Sequence, residues 1–229
     1  MLFTAATAFQ QFGLDLGADA GKASFITALY VAAVPIYSLI LGKRSTPSVW
    51  LGVLLSILGF YLLCITRDFT LQTPDLLVLA CALVFAVHIM VADKFSPVCD
   101  GVRMSSVQFA VATLLNGALA LAFERDLSIA ALGANILPVL YLGIASSGIA
   151  YTLQIIGQRE TPPAASSIIL SLESVFGVIG AALMLGERMT LRESVGAAVV
   201  FLAVVLAQID FSFLKKRKEQ GEGNSEQTE

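Results

Sequence analysis

One acidic residue, Glu173, lies in the middle of a long apolar stretch and is the first candidate for chemistry in this sequence. A charged carboxylate in apolar surroundings is costly, so it should face a cavity, meet a partner or be neutral. Ser166, Gly177 and Gly180 share its helical face by their spacing, which surrounds the acid with small or polar groups. Two interpretations follow. Glu173 binds a solute or a proton, or a protonated Glu173 hydrogen-bonds a neighbouring helix in a purely structural contact.

A row of polar residues occupies one face of the helix predicted just before this acid. Gln10 and Gln11 lie in the corresponding part of a related stretch near the start of the chain. Polar groups on two related helices could hydrogen-bond a solute near the middle of a membrane. As contacts between helices they would contribute only about 0.6 kcal/mol each. The row steps by four, three and four residues through Ser147, Tyr151, Gln154 and Gln158.

Three further residues, His88, Gln108 and Tyr30, could line a solute cavity. His88 is the single histidine, and histidine exchanges protons near neutral pH, which suits a proton relay or a gate. A lone histidine is also common as a packing residue. Gln108 and Tyr30 lie within apolar runs and suit either a cavity wall or helix packing.

An intramembrane hydrolase that pairs Ser146 or Ser147 with His88 is the enzymatic alternative. Two serines and one histidine are too common to indicate a catalytic pair. The sequence has no phosphate-binding Gly-Lys-Ser/Thr loop and no metal-ligand spacing around its three cysteines. We therefore expect no enzymatic activity, no metal and no cofactor.

The composition identifies the class of protein. The 229 residues are 57% hydrophobic and 14% charged, with mean hydropathy +0.82. Soluble domains have roughly 45–50% apolar and about 25% charged residues. The chain is therefore predicted to be a polytopic membrane protein, with the lipid bilayer as its surroundings. A net charge of −3 and the lack of a basic stripe argue against nucleic acid as a partner.

Turn signals divide the sequence into eight apolar runs, each near the roughly 17–25 residues of a membrane-spanning helix. Continuous apolar runs do not alternate as the strands of a membrane barrel do, so helices are predicted throughout. The runs are residues 2–16, 23–41, 49–65, 76–92, 107–123, 136–156, 164–185 and 195–214.

The distribution of cations predicts the orientation. Lys215-Lys216-Arg217-Lys218 is the strongest cationic cluster, and the positive-inside rule puts it in the cytoplasm. Eight spans then leave both termini in the cytoplasm, with nine of the 14 Lys and Arg residues on that side. The polar tail, 215–229, is predicted to be disordered. The opposite side receives Lys22, Arg67, Arg125, Arg188 and Arg192.

An internal repeat relates the two ends of the sequence. A shift of 144 residues sets the run Gly42, Arg44, Thr46 and Gly52 on Gly186, Arg188, Thr190 and Gly196. The first three helices then match the last three, and a repeat unit of five helices inverts the second copy, as in many secondary transporters. The fourth and fifth helices have no earlier counterparts. We therefore expect that the intact protein has ten helices and that this sequence, a fragment or a short gene model, lacks about 70 residues, or two helices, before Met1.

Two groups of residues resemble the EamA-domain family of the drug/metabolite transporter superfamily. Residues 171–177, Ser-Leu-Glu-Ser-Val-Phe-Gly, with 185–190, Leu-Gly-Glu-Arg-Met-Thr, are similar to its second domain. Residues 10–14, 23–30 and 42–44 look like the end of its first domain. The resemblance implies that 1–66 is the C-terminal part, three helices, of a first repeat and that 75–214 is a second repeat of five helices. It also implies a location in a bacterial inner membrane.

The same resemblance implies a function. Family members are secondary carriers that move amino acids, metabolites or drugs, commonly outward, through a cavity between the two repeats. The expected partner is a small-molecule solute, and a proton could be the coupling ion. Pairing of two copies as a homodimer is compatible with the family. A non-transporting membrane fragment that only packs with other proteins is the remaining alternative.

Overall fold

A computed structural model describes residues 1–18, 20–65, 72–123, 133, 135–185 and 190–208. Every regular element in these ranges is helical, and elements that continue one another end to end form eight rods. This confirms the prediction of an all-α protein with eight helices. The elements are α1 (Leu2–Asp15), α2 (Ala20–Ala28), α3 (Tyr30–Ile40), α4 (Pro47–Cys64), α5 (Thr73–Phe95), α6 (Gly101–Phe123), α7 (Ile136–Leu140), a π-helix (Tyr141–Ala150), α8 (Tyr151–Gln158), α9 (Pro163–Leu170), α10 (Leu172–Leu185) and α11 (Leu191–Gln208).

Within the described ranges, five rods are long and apolar enough to cross a membrane. That α1, the α9–α10 rod and α11 also span the membrane stays a prediction. The predicted cations Arg67, Arg125 and Arg188 and the C-terminal tail lie outside the described residues. The five rods are Lys22–Ile40, Pro47–Cys64, Thr73–Phe95, Gly101–Phe123 and Ile136–Gln158.

The rod that carries the acidic candidate is broken where serine side chains compete for backbone carbonyls. Ser167 and Ser171 each donate a side-chain hydrogen bond to the carbonyl three residues earlier, at 2.8 and 2.5 Å. Such local bonds compete with the helical ladder and bend helices. Because α9 ends and α10 begins around Ser171, Glu173 lies in the first turn of a new helix instead of inside a continuous one.

The rod formed by α2 and α3, called here the second rod, is broken as well, at Leu29. The Leu29 N–H donates to the carbonyl of Ile26, three residues back, at 3.1 Å, so the turn is tighter than an α-helical one. Pro35 then leaves the carbonyl of Val31 without its helical donor. The two breaks, at Leu29 and Ser171, are 142 residues apart, two short of the repeat shift.

Helices α4 and α11 pack antiparallel through glycines, and they begin and end at residues 144 apart. A Cβ atom on Gly59 would lie 2.9 Å from the carbonyl oxygen of Gly196, and one on Gly196 would lie 2.8 Å from that of Gly59. A Cβ on Gly52 would lie 3.1 Å from the carbonyl oxygen of Ala203. Gly52 and Gly196 are related by the repeat, as are Gly59 and Ala203. The contact is therefore reciprocal, because related positions meet related positions.

Gly196→Ala should lower the free energy of unfolding by about 1–3 kcal/mol, the usual cost of overpacking. The added methyl would meet backbone atoms of Gly59, Leu62 and Leu63 at 2.8–3.1 Å, and backbone cannot rotate away. Thermal unfolding of the purified protein, followed by the fluorescence of the single tryptophan, Trp50, measures the effect.

Gly117→Ala is the matched control. A Cβ at Gly117 in α6 has no neighbour within 4 Å among the described residues, so this variant should be as stable as the parent or slightly more stable. Equal melting temperatures for the two variants would contradict the close contact between α4 and α11.

Two ion pairs connect the second rod to α5, one at each end. At one end Lys22 Nζ lies 2.7 Å from Asp75 Oδ2, and the Asp75 side chain is fully buried. At the other end Lys43 Nζ lies 3.0 Å from Asp93 Oδ2 in a more exposed pair. The N–H of Gln72 also donates to Asp75, at 2.6 Å, and caps α5. The two rods thus run parallel and are held together at both ends.

Candidate functional site

The two breaks meet at one cavity of about 360 Å³, called here the central cavity. Tyr30 opens α3 directly after the first break, and Glu173 lies in the first turn of α10 directly after the second. Broken helices have free backbone groups and are the usual place for a solute site in a transporter. The wall consists of Tyr30, Phe85, Tyr141, Ala145, Ser146, Ala150, Tyr151, Gln154, Leu170 and Glu173.

Four of the predicted site residues therefore come together: Glu173, Tyr151, Gln154 and Tyr30. Both Glu173 and Tyr30 line the cavity, but Glu173 is exposed whereas Tyr30 is only 7% exposed. The amide nitrogen of Gln154 is buried and has no hydrogen-bond partner among the described residues. A buried donor without a partner is costly, and a bound solute or water would relieve that cost.

The π-helix changes which polar residues reach this cavity. The predicted polar row placed Ser147 beside Tyr151, but the cavity wall contains Ser146. In a π-helix the hydrogen bonds span five residues, as from the Tyr151 N–H to the carbonyl of Ser146, so each turn is wider. The regular helical spacing then no longer selects one face. Tyr141 and Ser146 were missed as cavity residues for this reason.

Phe85 on α5 was also missed, and it connects the aromatic side chains of the site. Its ring centroid lies 5.5 Å from that of Tyr30, 6.5 Å from that of Tyr151 and 5.7 Å from that of His88. Phe85 precedes His88 by three residues and so shares its helical face, which was the available signal.

His88 lies behind this wall and is 5% exposed. Its ring packs between Phe85 and Phe3, the latter with a centroid distance of 5.9 Å. The Nε2 atom has no hydrogen-bond partner among the described residues. His88 is therefore a neighbour of the cavity wall, and contact with a solute stays a prediction.

Gln158 lies one turn beyond Gln154 and faces a larger cavity of about 650 Å³, called here the end cavity. Gln158 is 3% exposed, and neither its amide oxygen nor its amide nitrogen has a partner in the described part of the chain. The same cavity is lined by Lys43 and Arg44, which follow α3, and by Arg159, which follows α8. The loops after these two helices therefore lie at one end of the molecule. Gln154 and Gln158 thus lie one turn apart on one helix, each in the wall of a different cavity.

The other predicted residues lie apart from the central cavity. Gln11 is exposed, donates to Asp15 at 2.9 Å, and lines a separate pocket between α1 and α6 with Asn116. Gln10 is half-buried on α1. Gln108 is half-buried on α6, with an unpartnered amide nitrogen among the described residues. Their contact with a solute stays a prediction.

Comparison with known proteins matches residues 72–208 to the model of the EamA-like transporter family. A relative from Archaeoglobus fulgidus, described as an uncharacterized transporter, is 30% identical over 210 residues. The alignment covers 88% of this chain and 64% of that relative, so the chain spans less than two thirds of the relative's length. A crystal structure 21% identical in sequence superposes with a TM-score of 0.78 over 94% of this chain and 75% of that one, which shows a shared fold.

Proposed function

Because the chain belongs to the EamA-like transporter family, we propose that it is a secondary transporter of a small organic solute, such as an amino acid, metabolite or drug. The solute binds in the central cavity and leaves the cell by alternating access of that cavity to the two sides of the membrane. The observation that carries the proposal is the meeting of two helix breaks, after Leu29 and at Ser171, at one cavity that contains an acid.

The reciprocal contact between α4 and α11 supports an inverted repeat, an arrangement that many alternating-access carriers use. When two related surfaces bury the same patch, a two-fold axis relates them. The repeat relates Gly52 to Gly196 and Gly59 to Ala203, and the two antiparallel helices meet through these positions. This arrangement fits a two-fold axis that lies in the membrane plane. We propose repeat boundaries of 1–66 and 75–214, and the family match over 72–208 supports the second.

The end cavity supports a route between the cytoplasm and the central cavity. Its three cations, Lys43, Arg44 and Arg159, favour a cytoplasmic position under the positive-inside rule. The unpartnered amides of Gln158 and Gln154 provide successive hydrogen-bonding groups along the way. Both termini in the cytoplasm and a bacterial inner membrane belong to the same proposal.

The geometry favours a carrier over an enzyme. Ser146 lines the central cavity, but His88 is buried between two phenyl rings behind Phe85. A hydrolytic pair needs its serine and histidine within about 2.6–3.2 Å. Among the described side chains, neither group has a hydrogen bond that would activate the serine.

Counterflow in proteoliposomes tests the proposal. Purified protein is reconstituted without nucleotide, the vesicles are loaded with one unlabelled solute at a time, and uptake of the labelled solute is followed. A secondary carrier gives saturable uptake that rises with unlabelled solute inside. Uptake equal to that of protein-free vesicles for every amino acid, amine, sugar and organic acid tried would contradict the proposal.

A further inference from the structure

We infer that the solute of the central cavity is an organic cation, a protonated or quaternary amine on a small apolar body. The inference rests on the proposed function and specifies its substrate class. Among the described residues of the cavity wall, Glu173 is the single charged side chain, and the largest of the other wall residues are aromatic. The wall therefore presents one carboxyl group and several aromatic side chains to its occupant.

The Glu173 carboxylate has no counter-ion within the described part of the chain. None of the other described side chains forms a hydrogen bond or an ion pair with Glu173. The Glu173 side chain is exposed to the cavity. Lys22 and Lys43 lie at the two ends of the rod formed by α2 and α3. They are already paired with Asp75 and Asp93. An occupant with a positive charge would supply the partner that the wall lacks.

The same wall disfavours anions and zwitterions. A solute carboxylate would enter beside Glu173 with no described lysine or arginine in the wall to receive it. Two like charges a few ångströms apart repel each other. The Gln154 amide could donate one hydrogen bond to such a group, which does not replace a cationic partner.

The aromatic side chains add attraction for a cation and space for its apolar part. The rings of Tyr30 and Phe85 meet at 58°, and those of Phe85 and Tyr151 at 76°, so the three rings are not stacked face to face. The faces of aromatic rings are negative and attract ammonium groups within about 6 Å. The volume of about 360 Å³ lies at the small end of ligand cavities, which are roughly 300–1,000 Å³.

A matched series of probes with one phenyl body tests the charge preference. Full-length protein in nanodiscs of zwitterionic lipid is titrated calorimetrically with 2-phenylethylamine, phenylalanine and 3-phenylpropionate, which are a cation, a zwitterion and an anion. Empty nanodiscs provide the baseline. We expect the amine to bind about ten- to hundredfold more tightly than phenylalanine, and 3-phenylpropionate not to bind. Benzyltrimethylammonium, a quaternary cation, should bind like the amine.

Two variants, one in the cavity wall and one outside it, test whether the amine binds in the central cavity. Phe85→Leu should weaken binding of the amine about two- to fivefold, as expected for one ring face. Glu193→Gln should leave the affinity unchanged, because Glu193 caps α11 through Thr190 outside the cavity and glutamine retains that capping bond.

The outcomes separate this inference from the proposed function. Phenylalanine or 3-phenylpropionate binding as tightly as the amine overturns the inference, and so does a failure of both cations to bind. Counterflow of an uncharged or anionic solute in proteoliposomes would then leave the transporter proposal in place. Absence of counterflow for every solute tried would contradict the proposal that the protein is a transporter.

Discussion

Replacing Glu173 by glutamine should lower the rate of solute transport about ten- to hundredfold and remove its dependence on pH. The estimate follows from the loss of a charge-assisted interaction, which contributes about 1.5–3 kcal/mol. Glutamine has nearly the same shape but can neither ionise nor accept a proton. Since Glu173 is the single charged side chain among the described residues of the central cavity, no neighbour there can replace it.

The dependence on pH separates a coupling role from simple solute contact. Protonation of a carboxyl in the cavity changes the relative stability of the two orientations that the cavity can adopt. The initial rate of counterflow is therefore measured from pH 6 to 8 for the parent, Glu173→Gln and the control Glu193→Gln. An unchanged rate and an unchanged pH profile in Glu173→Gln would exclude a role for this acid in transport.

Replacing Lys22 by methionine should lower the free energy of unfolding by about 3–5 kcal/mol, the cost of a buried charge left without its partner. The Asp75 side chain is fully buried, and Lys22 Nζ lies 2.7 Å from its Oδ2 atom. The other carboxylate oxygen, Oδ1, already lacks a hydrogen-bond partner among the described residues. Without Lys22, the Gln72 N–H would be the remaining described donor to this carboxylate.

Lys43→Met is the matched control at the other end of the same two rods. Its partner Asp93 is 13% exposed and Lys43 is 57% exposed, so water can replace the lost ion pair. The expected cost is below about 1 kcal/mol. A double variant, Lys22→Met with Asp75→Leu, should recover most of the stability, because no buried charge is left unpaired. Similar losses for Lys22→Met and Lys43→Met would contradict this account.

The sequence predicted those parts of the fold that follow from local patterns. Apolar runs bounded by polar turns gave all eight rods, and the 144-residue repeat relates α4 to α11 at both ends. Residues with a polar side chain in an apolar run, Glu173 and Gln154, were also identifiable as candidates for the cavity. The apolar runs and the polar residues within them depend on nearby residue types alone, and the repeat depends on comparing the two ends of the sequence.

The remaining features depend on how the rods pack and bend. Ser146 entered the cavity in place of Ser147 because a π-helix changes the helical period, which residue spacing alone does not reveal. His88 was a candidate by residue type, but Phe85 and Phe3 enclose it. The partner of Lys22 is Asp75 on another rod, and pairing between rods has no local signal in one sequence.

The reciprocal contact of α4 and α11 has a consequence for genetics. If every substitution in these helices were scored for growth under selection, Gly52 and Gly196 should tolerate similar changes, since Gly52 meets Ala203, Gly196 meets Gly59, and these two partners are themselves related by the repeat. A smaller residue at Val200 should rescue a larger one at Gly59 only in part, because backbone atoms of Gly196 and Val200 also lie 2.9 Å from the added atom. Suppressors of changes in α4 would then lie in α11, and the reverse. The pairs of compensating positions would reveal the two-fold axis from genetic data alone.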